Sequence, residues 1–198
     1  TGRPFISPAV DAVTQLTWSR TLNDVSEASI TISKSGAGEC CAQLGQIRPW
    51  AHELALFRGQ DRVWQGPIAQ AVRETRATLV IEARDALAWL ERAKNTVLLR
   101  YVNLPDNPDP EGRRRGPVQW IAAHIIKLNL LSPFSQPPDY PDILGHIVRE
   151  DSDEVTRFEK DGATDTAVWD TSVLEILDEL TKRGLEYTAV GRSILLRT

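Results

Sequence analysis

The chain has no methionine, two cysteines and three histidines, and each shortage removes a class of chemistry. Cys40 and Cys41 are neighbours, and adjacent residues rarely reach the Cα separation and dihedral of an ordinary disulfide. They read as reduced thiols of a protein assembled in a cytoplasm. With no further cysteine, and with His52, His124 and His146 isolated from one another, no zinc-ligand spacing exists. The missing methionine means that the sequence is not a reading frame as translated: an initiator has been removed or the chain belongs to a longer one. No apolar run approaches the ~18 residues of a membrane span, and no signal-peptide pattern stands at the start. The net charge is -4, whereas general nucleic-acid binding needs a basic face to displace counterions from phosphates.

Catalytic motifs are equally scarce. A Walker loop and a nucleophile elbow are absent, and Gly36-Ala37-Gly38 lacks the third glycine of a dinucleotide fingerprint. The run from Asn107 to Gly112 mimics the start of a calcium loop, but two prolines interrupt it and Val118 stands where the bidentate glutamate belongs. Asp151-Ser152-Asp153-Glu154 is followed by Val155 and reads as a solvated acidic loop. The expectation is therefore a non-enzyme with no catalytic residue, cofactor or metal. A cell-wall hydrolase would need two carboxylates brought together from distant segments.

What is present is clearest between His52 and Arg92. A strand over 53–57 is followed by the polar loop 58–62, and Val63 and Trp64 resume the apolar run. Gly66-Pro67 then marks a bulge, bend or edge, because proline cannot donate to a ladder. Segments 68–74 and 77–84 form the next pair, with Ala77, Leu79, Ile81 and Ala83 on one face and Thr78, Val80, Glu82 and Arg84 on the other. Asp85 occupies an N-cap position before Ala86, Trp89, Leu90 and Ala93 at helical spacing. A bent sheet closed by a helix suggests a small barrel.

Upstream, Leu16 and Trp18 alternate with polar residues, Asn23-Asp24 supplies a turn, and Ala28, Ile30 and Ile32 alternate on the return. Residues 39–47 have the spacing of a short helix. Segment 96–102 reads as another strand. The Pro- and Gly-punctuated stretch 103–117, which holds the basic run Arg113-Arg114-Arg115, reads as a solvated loop and a domain boundary. The expected division is 1–102, the connector 103–117, and 118–198. Val118, Ile121, Ala122, Ile125 and Leu128 share one helical stripe, and Trp120 and Ile126 outside it give that helix a second buried side. Residues 136–144 are an irregular connector, and 155–159 a strand. Ser172 and Glu175 form a capping box, Gly184 ends the helix, and Gly191-Arg192 turns a final hairpin.

The run GECCAQLGQIRPWAHELALFRGQDRVWQGPI, the following RDALAWLERA and the closing VLEILDELTKRGLEYTAVGRSILL resemble, in the same order, segments of minor tail or tail-hub proteins of long-tailed, actinobacterial-type phages. The resemblance implies an α+β, β-rich fold of bent antiparallel sheets forming small split β-barrels capped by short helices. It implies a structural virion protein assembled in the host cytoplasm: a homotrimeric hub ring at the tail tip that joins the tail tube to the tip or baseplate apparatus. The partners would be further copies of the chain, the neighbouring tail-tube or distal tail protein, and tail-fibre or tape-measure proteins. DNA would pass through the lumen without specific binding, which a negative surface suits. The expected interface residues are Trp50, Trp64, Gly66, Pro67, Arg113, Arg114 and Arg115. A carbohydrate- or receptor-binding adhesion module is the alternative, on the strength of tryptophan content and β-richness.

Overall fold

A computed structural model of the chain describes residues 12–34, 44, 46–95, 118–131, 146–149 and 171–197. The chain divides into two compact units, one of Thr1–Thr21 with Val25–Asp85 and one of Leu22–Asp24 with Ala86–Thr198. The expected connector 103–117, the strands at 96–102 and 155–159, the connector 136–144 and the cysteine pair lie outside the described residues.

The first unit is built on strand alternation. β1 (Val13–Trp18) and β2 (Glu27–Ser33) form the hairpin expected from the sequence, and β2 pairs antiparallel along its whole length with β6 (Thr78–Arg84). The register sets Ala28 opposite Ala83, Ile30 opposite Ile81, and Ile32 opposite Leu79. All six are buried. Such directly opposed apolar pairs are the units that hold a sheet together, each worth about 0.2–1 kcal/mol beyond an alanine pair. The intervening residues Thr78, Val80, Glu82 and Arg84 take the other face, as the period of two requires.

β3 (Glu53–Arg58) and β4 (Asp61–Pro67) form a separate two-stranded sheet. Leu56 stands opposite Trp64, and both rings or branches enter the core cluster of β2 and β6, together with Ala12, Leu44 and Ile68. The turn is tighter than the five-residue loop expected. It is confined to Gly59 and Gln60, with Gly59 at φ +66°, while a bulge at Val63 absorbs one residue. Gly66-Pro67 does not interrupt the strand, since Gly66 faces Leu54 and Pro67 faces Glu53 in the ladder. The corner comes one residue later. Ile68 donates to the His52 carbonyl at 3.0 Å while bridging Ala83 of β6, so it belongs to both sheets. The four-stranded sheet runs β1-β2-β6-β5 and ends on β5 (Arg73–Glu74), two charged residues long.

The second unit contains helices α1 (Ala88–Arg92), α2 (Val118–Ile126) and α3 (Val173–Thr181), with strands β7 (His146–Arg149), β8 (Glu186–Val190) and β9 (Ser193–Arg197). α1 starts later than expected. Leu87 is its N-cap, with no side-chain hydrogen bond, because the Asp85 carboxylate accepts from Ser26 N–H at 3.0 Å instead. α2 buries Val118, Ile121, Ala122 and Ile125, and also Gln119, Ala123 and Ile126, so two sides are covered as anticipated. It passes into a π turn over Lys127–Leu131, where Asn129 donates to Asn95 Oδ1 at 3.1 Å and to the Ile125 carbonyl at 2.9 Å. α3 carries the full capping box, with Ser172 Oγ accepting from Glu175 N–H and the Glu175 carboxylate accepting from Ser172 N–H. β8 and β9 form the closing hairpin around Gly191, at φ +62°. β7 joins β9 in parallel, a pairing not foreseen from the sequence.

The chain is thus α+β and β-rich, with largely antiparallel sheets and short helices. Among the described residues its sheets stay open and no barrel closes. In the first unit the reason is length: β5 offers only two residues for a continued ladder, too few to carry the strand stagger a barrel requires.

Candidate functional site

The residues that stand out lie around the corner of the first unit and along its sheet edge. Trp50 adopts φ +64°, which is unusual for a bulky residue, and donates its N–H to the Ile68 carbonyl at 2.8 Å. The backbone on either side of Ala51 therefore grips Ile68 from both its N–H and its C=O. Trp50 itself is half-buried. Trp64 is only 4% exposed, and its indole Nε1 has no hydrogen-bond partner among the described residues. Its ring fills the core of its own unit. Next to it, Gln65 donates to the Glu53 carboxylate, while its Oε1 is unpartnered among the described residues. Gly66 and Pro67 are buried. A Cβ built on Gly66 would fall 1.9 Å from the Arg84 carbonyl oxygen, so β4 and the end of β6 meet at a spacing only glycine permits. Arg113, Arg114 and Arg115 lie outside the described residues.

The structure places Trp50, Trp64, Gly66 and Pro67 around the corner that follows β4, where Ile68 bridges to Ala83 of β6. Among the described residues of the first unit, three others carry large exposed apolar side chains. Leu16 and Trp18, at 46% each, project from β1, which has β2 as its single ladder partner among the described residues. Phe57, at 62%, stands near the tip of the β3–β4 hairpin, opposite Arg62 and next to Arg58. Leu16 and Trp18 share the face of Ile30 and Ala28, their cross-strand partners. That face is buried on β2 and open on β1. Sequence alternation assigns the face correctly, yet it carries no signal for where the covering layer ends.

Nothing in this arrangement holds a metal: no group of three or more His, Cys, Asp or Glu is placed to ligate one among the described residues. Nor is any described helix long and apolar enough to cross a membrane. What the geometry can do is pair and pack. A strand edge whose outer backbone groups have no ladder partner among the described residues, and which carries two exposed apolar side chains, is a template for another strand.

No family model matches the chain, and no curated protein matches it. Among solved structures, the chain is similar to the 43 kDa tail protein of prophage MuSo2 from Shewanella oneidensis, with 15% identity and a TM-score of 0.44. That alignment covers 93% of this chain and 53% of the other, so the chain spans about half the length of that protein.

Proposed function

We propose that this chain is a structural protein of a phage tail, which assembles through its sheet edges into a homotrimeric hub ring at the tail tip. In this reading the ring joins the tail tube to the tip apparatus, lines the channel through which DNA leaves, and contacts the distal tail, tape-measure or fibre proteins. The reading begins from the resemblance of three sequence runs to tail-hub proteins. The observation that carries it into the fold is the β1 edge, where Leu16 and Trp18 stand 46% exposed on the face that is buried on β2. Monomers normally blunt such an edge with charge, proline or a covering segment, and β1 itself, Val13 to Trp18, has neither charge nor proline.

Native mass spectrometry over a range of concentrations tests the proposal. A trimer, or a ring whose subunit number is a multiple of three, is the expected species. Leu16→Lys introduces a charge at the edge without touching a buried position, and should weaken assembly by about tenfold, or ~1.4 kcal/mol. A protein that stays monomeric at high concentration, alone and with its tail partners, would overturn the reading.

A further inference from the structure

A ring needs two unlike edges on each copy. A β1 edge that met β1 of a second copy would make an isologous contact and stop at a dimer, whereas a head-to-tail contact between different edges closes a ring. The hydrogen-bond pattern shows which residues β1 offers. Ser19 N–H donates to the Glu27 carbonyl, so residues 15, 17 and 19 turn their backbone groups towards β2, and Leu16 and Trp18 turn theirs outward. These are also the residues of β1 whose large apolar side chains stand exposed.

Among the described residues the other edges differ in what they offer. β5 has two residues, both charged, and β7 has four. On β4, Pro67 has no N–H, and the Val63 carbonyl already accepts from the Arg20 guanidinium at 3.2 Å. On β8, Tyr187 donates its N–H to Asn23 Oδ1 and its carbonyl accepts from Asn23 N–H, both at 2.8 Å. β3 has six residues, as β1 has. Ile68 N–H donates to the carbonyl of His52, just before β3. Leu54 and Leu56 therefore turn their backbone groups towards β4, and Glu53, Ala55 and Phe57 turn theirs outward. Ala55 and Phe57 are exposed.

We propose that β1 of one copy pairs antiparallel with β3 of the next, with Leu16 opposite Phe57 and Trp18 opposite Ala55. The inference rests on the ring reading, whose second edge it names. Each of these pairs exchanges two N–H···O=C bonds and sets its side chains on one face, so the two exposed apolar sets cover each other. The same register sets Arg20 opposite Glu53 of the neighbouring copy, on that same face, as a pair of opposite charges. A slip of one residue turns the apolar sets to opposite faces. A slip of two sets Trp18 opposite Glu53 in one direction and Arg20 opposite Ala55 in the other, and loses the charge pair both ways. Parallel pairing sends Arg20 to the Phe57 end of β3.

The test traps the contact as a disulfide in the full chain. Gln15 and Arg58, both exposed, become a non-hydrogen-bonded pair in this register, with Cα atoms ~4.5 Å apart, inside the ~4.4–6.8 Å range of a disulfide. Copies carrying Gln15→Cys, mixed with copies carrying Arg58→Cys, should form a link between positions 15 and 58 on oxidation, identified by peptide mass mapping. Each variant alone controls for the native Cys40 and Cys41. Gln15→Cys mixed with Gln60→Cys should stay unlinked, because that pair needs a two-residue slip. Arg20→Glu and Glu53→Arg should each weaken association about fivefold with circular dichroism unchanged, and the two in one chain should restore it. Native mass spectrometry of the same samples separates the two failures. A protein that stays monomeric overturns the ring reading and this contact with it. An oligomer that gives no 15–58 link, links 15 to 60 as readily, or shows no rescue between the charge reversals overturns this contact alone.

Discussion

Substituting Gly66 by alanine tests the corner on which the first unit turns. The added Cβ would lie 1.9 Å from the Arg84 carbonyl oxygen and 2.7 Å from both the Arg84 carbonyl carbon and the Asp85 Cα. All three are backbone atoms, so no rotamer change relieves the clash. Ordinary contact begins near 3.4 Å, and β4 must therefore move by more than an ångström relative to β6. That motion pulls Trp64, two residues away, out of register with the Ile30 and Ile81 layer. Overpacking costs about 1–3 kcal/mol where side chains can adjust; with backbone on the far side the expected cost is at the upper end, about 3 kcal/mol. For a unit of about 80 residues, each kcal/mol lowers the midpoint by ~4–8 °C, so the thermal transition followed by tryptophan fluorescence should fall by about 12–24 °C. Gly59→Ala is the control. Its φ is +66° but nothing lies within 4 Å of the new Cβ, and the left-handed backbone alone costs about 1–2 kcal/mol. If Gly66→Ala proves no more destabilising than Gly59→Ala, the close approach of β4 to β6 is refuted.

Asp85 and Ser26 are both buried and joined twice, by Ser26 N–H to the Asp85 carboxylate at 3.0 Å and by Asp85 N–H to the Ser26 carbonyl at 2.9 Å. Asp85→Ala strands the Ser26 N–H and should cost about 1–3 kcal/mol in urea unfolding, whereas Asp85→Asn keeps an acceptor and should cost less. Ser172→Ala removes the cap of α3 and should cost about 1 kcal/mol, with local amide exchange at Glu175 rising before that of Leu180. In the second unit Asn23, at φ +57°, accepts from Tyr187 N–H through Oδ1 at 2.8 Å and from the Tyr187 hydroxyl through its carbonyl at 3.1 Å. Asn23→Gly keeps the backbone freedom and should lose about 1 kcal/mol, while Asn23→Val loses the acceptor and strains a β-branched residue, so its measured loss should be clearly larger.

The elements legible in the sequence are those whose signals are local. The alternation of Ile30 and Ile32, and of Leu79, Ile81 and Ala83, fixes which face is buried, because one residue of slip would turn each of them to the other side. Ser172 with Glu175, and Gly191 in the closing turn, act within a few residues, and the structure shows the cap and the turn that those residues announce. Asp85 shows the limit. Its type and position suit an N-cap, but a backbone N–H 59 residues earlier in the chain takes the carboxylate instead. Gly66 similarly suggested a break in the strand; its real role, letting two backbones touch, depends on Arg84 in another sheet. The parallel β7–β9 pair required knowing that a four-residue stretch meets a strand nearly fifty residues later, for which no local pattern exists.

The candidate surfaces were hidden for the same reason, and their magnitudes limit what they can do. Leu16 and Ile30 are directly opposite on one face, yet one is 46% exposed and the other 6%. The layer contributed by the β3–β4 hairpin thus ends between two adjacent strands. Fully burying a large apolar side chain is worth about 1.5–3 kcal/mol, so covering what remains open on Leu16 and Trp18 would contribute about 1 kcal/mol each. Association of free subunits costs an estimated 4–15 kcal/mol before any contact is counted. The two side chains alone are too weak to hold a ring together. If β1 is the assembly edge, its backbone must pair with a partner strand and further surface must join the contact. Leu16→Lys should then weaken the oligomer without abolishing it, and complete loss of assembly from that one substitution would mean that the edge makes a different kind of contact.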